Sequence, residues 1–109
     1  MGLKGKTKEI LGLMRAKIFG VTAGQNVYIG KHCSLKGKRH ITLEDSVTVR
    51  PYTQIWSVGG TVRIGKGSEI GERCRISIAN SLDIGEKVLL SPNVYITDCD
   101  HEYRNVDVP

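Results

Sequence analysis

From residue 23 onward, aliphatic residues recur every six positions, and the interval lengthens at regular places. Ala23, Ile29 and Leu35 form a first group; Leu43, Val49 and Ile55 a second; Ile64, Ile70 and Ile76 a third; Ile84, Leu90 and Ile96 a fourth. Eleven of the twelve are Ile, Leu or Val, and the exception is a small Ala. Two places before each stands another small or apolar residue: Val21, Val27, Cys33, Ile41, Val47, Thr53, Val62, Ser68, Cys74, Leu82, Val88 and Val94. The step is eight from Leu35 to Leu43, nine from Ile55 to Ile64 and eight from Ile76 to Ile84. Every longer step therefore follows the third side of a group. Three short strands per coil, with the extra residues always at one corner, is the pattern of a triangular solenoid whose repeat residues fill a shared interior. Glycine follows the repeat residue at Gly24, Gly30, Gly65, Gly71 and Gly85, which suits a corner that bends at little steric cost. A sandwich would show two-residue alternation between turn signals, which this chain lacks.

Residues 1–20 follow a different period. Leu3, Ile10, Leu11, Met14 and Ile18 recur at helical spacings, the lysines fall mostly on other faces, and Gly20 supplies a stop. The segment is expected to be a short amphipathic helix, packed on an end of the domain or resting on an anionic membrane surface. It also holds most of the chain's charge excess. Of a net +5, residues 1–20 contribute five basic side chains against Glu9 alone, and residues 21–109 hold eleven basic and ten acidic. The body thus has neither the basic face nor the interleaved aromatics of a nucleic-acid binder.

The 109 residues make one domain with a modest core. No stretch approaches the ~18 apolar residues of a membrane-spanning helix, and the opening segment lacks the apolar region of a secretory signal. Three cysteines, Cys33, Cys74 and Cys99, form no CxxC pair. That argues against a disulfide framework or structural zinc site and for a reducing compartment, so a cytoplasmic location is expected, with contact at the inner membrane face through residues 1–20.

The tandem Ile/Val/Leu-Gly-x-x-x-x pattern over residues 21–97 resembles the hexapeptide-repeat acyltransferases. The resemblance implies a left-handed parallel β-helix, here of about four coils; the general preference for right-handed crossovers would give the opposite hand. After Ile96 the sequence changes to Thr97-Asp98-Cys99-Asp100-His101-Glu102-Tyr103-Arg104, a polar segment at the insertion corner. Together with Ser91-Pro92-Asn93-Val94, it resembles the histidine loop of the maltose and galactoside acetyltransferase-like branch, which includes sugar O-acetyltransferases of surface-polysaccharide synthesis. In that branch the catalytic histidine maps onto His101. The resemblance implies acetyl-CoA as co-substrate, a sugar or lipid-linked saccharide as acceptor, and a homotrimer with active sites between neighbours.

Histidine suits this task because imidazole, with an unperturbed pKa near ~6.5, can take a hydroxyl proton at neutral pH and return it to a departing thiolate. Asp98 or Asp100 would hold the ring in its useful tautomer. The plainer alternative makes His101 a surface residue of a polar loop. Tyr103 and Arg104 have the polar reach to contact an acceptor. Asn80 is expected to stack one coil below the histidine loop as an acceptor ligand or a turn residue, and Trp56, opening the insertion below that, is a sugar platform or a groove wall. Cys99 is a weaker nucleophile candidate, while His32 and His40 are expected to be solvated. The same scaffold carries γ-class carbonic anhydrases, whose zinc needs three converging histidines; His32, His40 and His101 lie coils apart, so no metal site is expected. The alternative functions are a non-catalytic scaffold or oligomerisation module and, behind it, a γ-carbonic-anhydrase-like metalloenzyme. Chains of the family continue past the histidine loop with further coils that supply much of the CoA channel, so this sequence is expected to be incomplete at its C-terminal end, and it names no CoA ligand.

Overall fold

The computed structural model describes residues 20–37 and 40–99. The expected helix over residues 1–20 lies outside them except for Gly20, as do Asp100, His101, Tyr103 and Arg104.

Among the described residues, twelve short strands make four coils of three: β1 (Thr22–Ala23), β2 (Tyr28–Ile29) and β3 (Ser34–Lys36); β4 (Ile41–Leu43), β5 (Thr48–Val49) and β6 (Gln54–Ser57); β7 (Thr61–Ile64), β8 (Glu69–Ile70) and β9 (Arg75–Ile78); β10 (Ser81–Ile84), β11 (Leu89–Leu90) and β12 (Tyr95–Thr97). Every third strand shares a sheet, in the orders β1-β4-β7-β10, β2-β5-β8-β11 and β3-β6-β9-β12. All pairings are parallel. The described residues form a three-sided β-solenoid of four coils.

The register is the one that the repeat predicts. Ala23, Leu43, Ile64 and Ile84 pair in one column, Ile29, Val49, Ile70 and Leu90 in the second, and Leu35, Ile55, Ile76 and Ile96 in the third. These columns and the residues two places earlier build the interior. Ile29, Ile41, Leu43, Val47, Val49, Ile55, Ile64 and Ile70 have no exposed surface. Burial fades toward the ends: Val21, Ala23 and Cys33 of the first coil and Leu82, Val88, Leu90, Val94 and Ile96 of the fourth are only partly buried against the core.

The extra residues stack at one corner, as expected, but they also lengthen the strands. Ser57 and Ile78 continue β6 and β9, pair with each other, and are buried at 7% and 1% exposure. The six-residue count stops one inward-facing position short of them. Trp56 belongs to β6 and stands on the outside of the third sheet, level with Lys36 and Ser77, rather than in the corner itself.

The corners work differently from the expectation. Gly65 and Gly71 follow repeat residues, yet neither has positive φ. They are small because coils approach closely: a Cβ on Gly65 would lie 2.6 Å from the Gly85 carbonyl carbon, and one on Gly71 2.7 Å from Pro92 N. The left-handed residue comes two places later, at Asn26, His32, Ser46, Tyr52, Gly67, Arg73, Lys87 and Asn93.

Candidate functional site

The corner between the third sheet and the next coil is the one that carries the extra residues of each coil. In the second coil it is Val58-Gly59-Gly60, with Ser57 Oγ donating to the Gly60 carbonyl. In the third it is Ala79-Asn80, leading directly into β10. The Val58 amide donates to Ile78 O at 2.8 Å and the Thr61 amide to Asn80 O at 3.0 Å, so the two corners lie one above the other.

Asp98 brings the end of the fourth coil onto the same corner. Two residues past Ile96, it falls in the inward-facing column that Ser57 and Ile78 occupy two coils and one coil earlier. An aspartate there has no apolar place to fill, and its carboxylate turns to the amides of the corner below. Asp98 Oδ1 accepts from Ala79 N at 2.6 Å; Oδ2 accepts from Asn80 N and Ser81 N, each at 3.0 Å. These bonds, led by that from Ala79, hold the Asp98 carboxyl below its ordinary range, against a smaller opposing effect of desolvation. Asn80 lies one coil below Asp98 and donates its backbone amide to it, while the histidine loop beneath which it is expected to stack continues outside the described residues. The exposed Asn80 side chain remains available at the corner.

Asp98 therefore anchors the loop base. A carboxylate has about four acceptor positions, and three are filled by backbone amides. Cys99 is half-buried beside it. Its amide donates to Thr97 Oγ1 at 3.0 Å, and its Sγ lies 3.5 Å from Ser77 O and 3.7 Å from Ser77 Oγ. Asp100, His101, Tyr103 and Arg104 follow outside the described residues, so the structure brings together Asp98, Cys99 and Asn80 of the expected site.

Trp56 is separate from that group. Its indole Nε1–H donates to Ser34 Oγ at 3.0 Å, and the Lys36 ammonium stands 4.4 Å from the ring centroid. His32 and His40 are exposed, and the His32 ring stacks on Tyr52 with centroids 5.0 Å apart. Among the described residues no three His, Cys, Asp or Glu side chains converge as a metal site would require. No disulfide joins the cysteines. Cys33 and Cys74 act as small inward residues whose thiols donate to Arg50 O and Ser91 O of the next coil at 3.1 and 3.2 Å.

The anchoring role of Asp98 goes beyond the sequence expectation, although the repeat carries a signal for it. Its place two residues after Ile96, matching Ser57 and Ile78, marks an inward position. Compared with protein-family models, with proteins of curated function and with solved structures, the chain matches none.

Proposed function

We propose that the protein is an acyltransferase that moves an acetyl group from acetyl-CoA to a sugar hydroxyl, with His101 as general base. The observation that carries this reading is the Asp98 carboxylate clamped on the amides of Ala79, Asn80 and Ser81. It fixes the start of the Asp98-Cys99-Asp100-His101 run at the insertion corner of a rigid solenoid, where a loop can carry chemistry without disturbing the core.

In this reading the His101 imidazole takes the proton of the acceptor hydroxyl as its oxygen attacks the thioester carbonyl. The tetrahedral intermediate then collapses, the C–S bond breaks, and the proton passes from imidazolium to the CoA thiolate. Asp100 orients the ring. Asp98 supports the loop through its bonds to the corner below. Asn80, Tyr103, Arg104 and Trp56 contact the acceptor. The proposal extends to a homotrimer with shared active sites and to a cytoplasmic location, residues 1–20 resting on the membrane face near a lipid-linked acceptor.

General-base help of this kind contributes roughly 10²–10⁴ in rate. His101→Ala should lower acceptor-dependent CoA release by about that factor, with an unchanged circular dichroism spectrum. Unchanged turnover in a folded variant removes His101 from the mechanism.

A further inference from the structure

The three faces of the prism differ in charge. On the first sheet, Arg63 is neutralised by Glu44 at 3.1 Å and Asp83 at 2.7 Å. On the second, Glu69 is paired with Arg50 at 2.7 Å. The outward residues of the third sheet are Ser34, Gln54, Arg75 and Tyr95 in one column, and Lys36, Trp56, Ser77 and Thr97 in the other. They include two cations and no carboxylate. Neither Lys36 nor Arg75 makes an ion pair among the described residues.

Both cations are instead held against rings. Lys36 Nζ lies 4.4 Å from the Trp56 centroid, and the Arg75 guanidinium carbon 5.3 Å from that of Tyr95. At the corner leading into this face, Arg73 lies 5.4 Å from the ring of Tyr52. Its neighbour Glu72 lines a groove with Arg50 and Glu69 on the second-sheet side. A cation resting on an aromatic ring is restrained while keeping its hydrogen-bond donors for a ligand. Hydroxyl and amide groups surround the pairs, and the face ends at Thr97, beside the Asp98 corner.

We propose that this cation–aromatic face binds an acidic saccharide, the acceptor of the transferred acetyl group. Carboxylates of the sugar would meet Lys36 and Arg75, and Gln54, Ser77 and Thr97 would meet its hydroxyls. Lys36 and Arg75 are two coils apart, about 10 Å along the axis at ~4.8 Å per step, so an oligomer rather than a single sugar spans them. A nucleic acid would instead need bare ring faces for its bases, and here cations stand over the rings. The acceptor role rests on the acetyl-transfer reading; the binding face does not.

Trp56 is the single tryptophan of the chain, so its fluorescence reports this face. The full chain is titrated with an oligogalacturonate, a neutral oligosaccharide of equal length, CoA and a short single-stranded oligonucleotide. A saturable change is expected with the oligogalacturonate and not with the others. The affinity should fall about tenfold in the Lys36→Gln/Arg75→Gln double variant and also in wild type at about 1 M salt, where charges are screened beyond about 3 Å. Arg63→Gln, on the first sheet, should bind as wild type does. Binding that ignores both the double substitution and salt overturns the proposal, as does an equal or stronger response to the neutral sugar, CoA or the oligonucleotide. CoA release with neutral sugars but no Trp56 response to oligogalacturonate overturns this inference and leaves acetyl transfer standing. A Trp56 response in a protein that releases CoA with no acceptor supports the face and overturns its acceptor role.

Discussion

Two small polar side chains inside the prism reach a carbonyl of the following coil. Thr53 Oγ1 donates to Gly71 O at 2.8 Å, and Ser68 Oγ donates to Gly85 O at 2.6 Å while accepting from Val88 N at 2.9 Å. Thr53 and Ser68 have no exposed surface, yet neither is an error in the apolar pattern, because each replaces a methyl contact with a bond between coils. Thr53→Val keeps the shape and removes the donor, so it should cost about 1 kcal/mol, read from the urea midpoint. Asp98 obeys the same logic at a corner. Since its folded pKa is depressed, its contribution is fully present above the unfolded value near ~3.9 and is lost as pH falls through the lower folded value. Urea midpoints of wild type should therefore decline on acidification below about pH 4, and those of Asp98→Asn should decline less over that range. Identical pH profiles would mean that the amides of Ala79, Asn80 and Ser81 do not need the charge.

At the scale of strands and turns, the six-residue period located every column except that of Ser57 and Ile78, because an inward position must be filled by something apolar or small in each coil. The turns were harder to read. Glycine after the repeat residue pointed correctly to the corners but for a different reason: coil-to-coil clearance, as at Gly65, rather than an unusual φ. The left-handed positions carry residues as varied as Asn26, His32, Tyr52 and Lys87, which composition does not signal. A lysine with φ of 54° pays a steric cost that asparagine largely avoids. Lys87→Asn should raise the urea midpoint by the equivalent of roughly 0.5–1 kcal/mol. The candidate site is legible as a polar run after the last coil, since Asp98, Asp100 and His101 are unlike the aliphatic residues that fill the repeat positions. The bonding of Asp98 is not, because it depends on which amides the corner below leaves unpaired.

The whole molecule behaves as a stack in which each coil rests on its neighbours. Ile70 has no exposed surface, whereas Leu90, next in the same column, is only partly buried. Ile70→Ala should cost about 2–5 kcal/mol by denaturant unfolding, and Leu90→Ala clearly less, because a half-covered site leaves a smaller cavity. Equal costs would contradict the burial gradient along the axis. This rigid stack is what makes the insertion corner a suitable place for chemistry: the scaffold fixes the Asp98 end of the loop, and His101 follows three residues on. The direct measurement is to supply acetyl-CoA labelled in its acetyl group with a sugar acceptor and follow the label. The account predicts label in an alkali-labile ester on the sugar, formed by wild type and lost in folded His101→Ala. Label that stays on CoA with every acceptor, or reaches the sugar equally fast in both proteins, would contradict it.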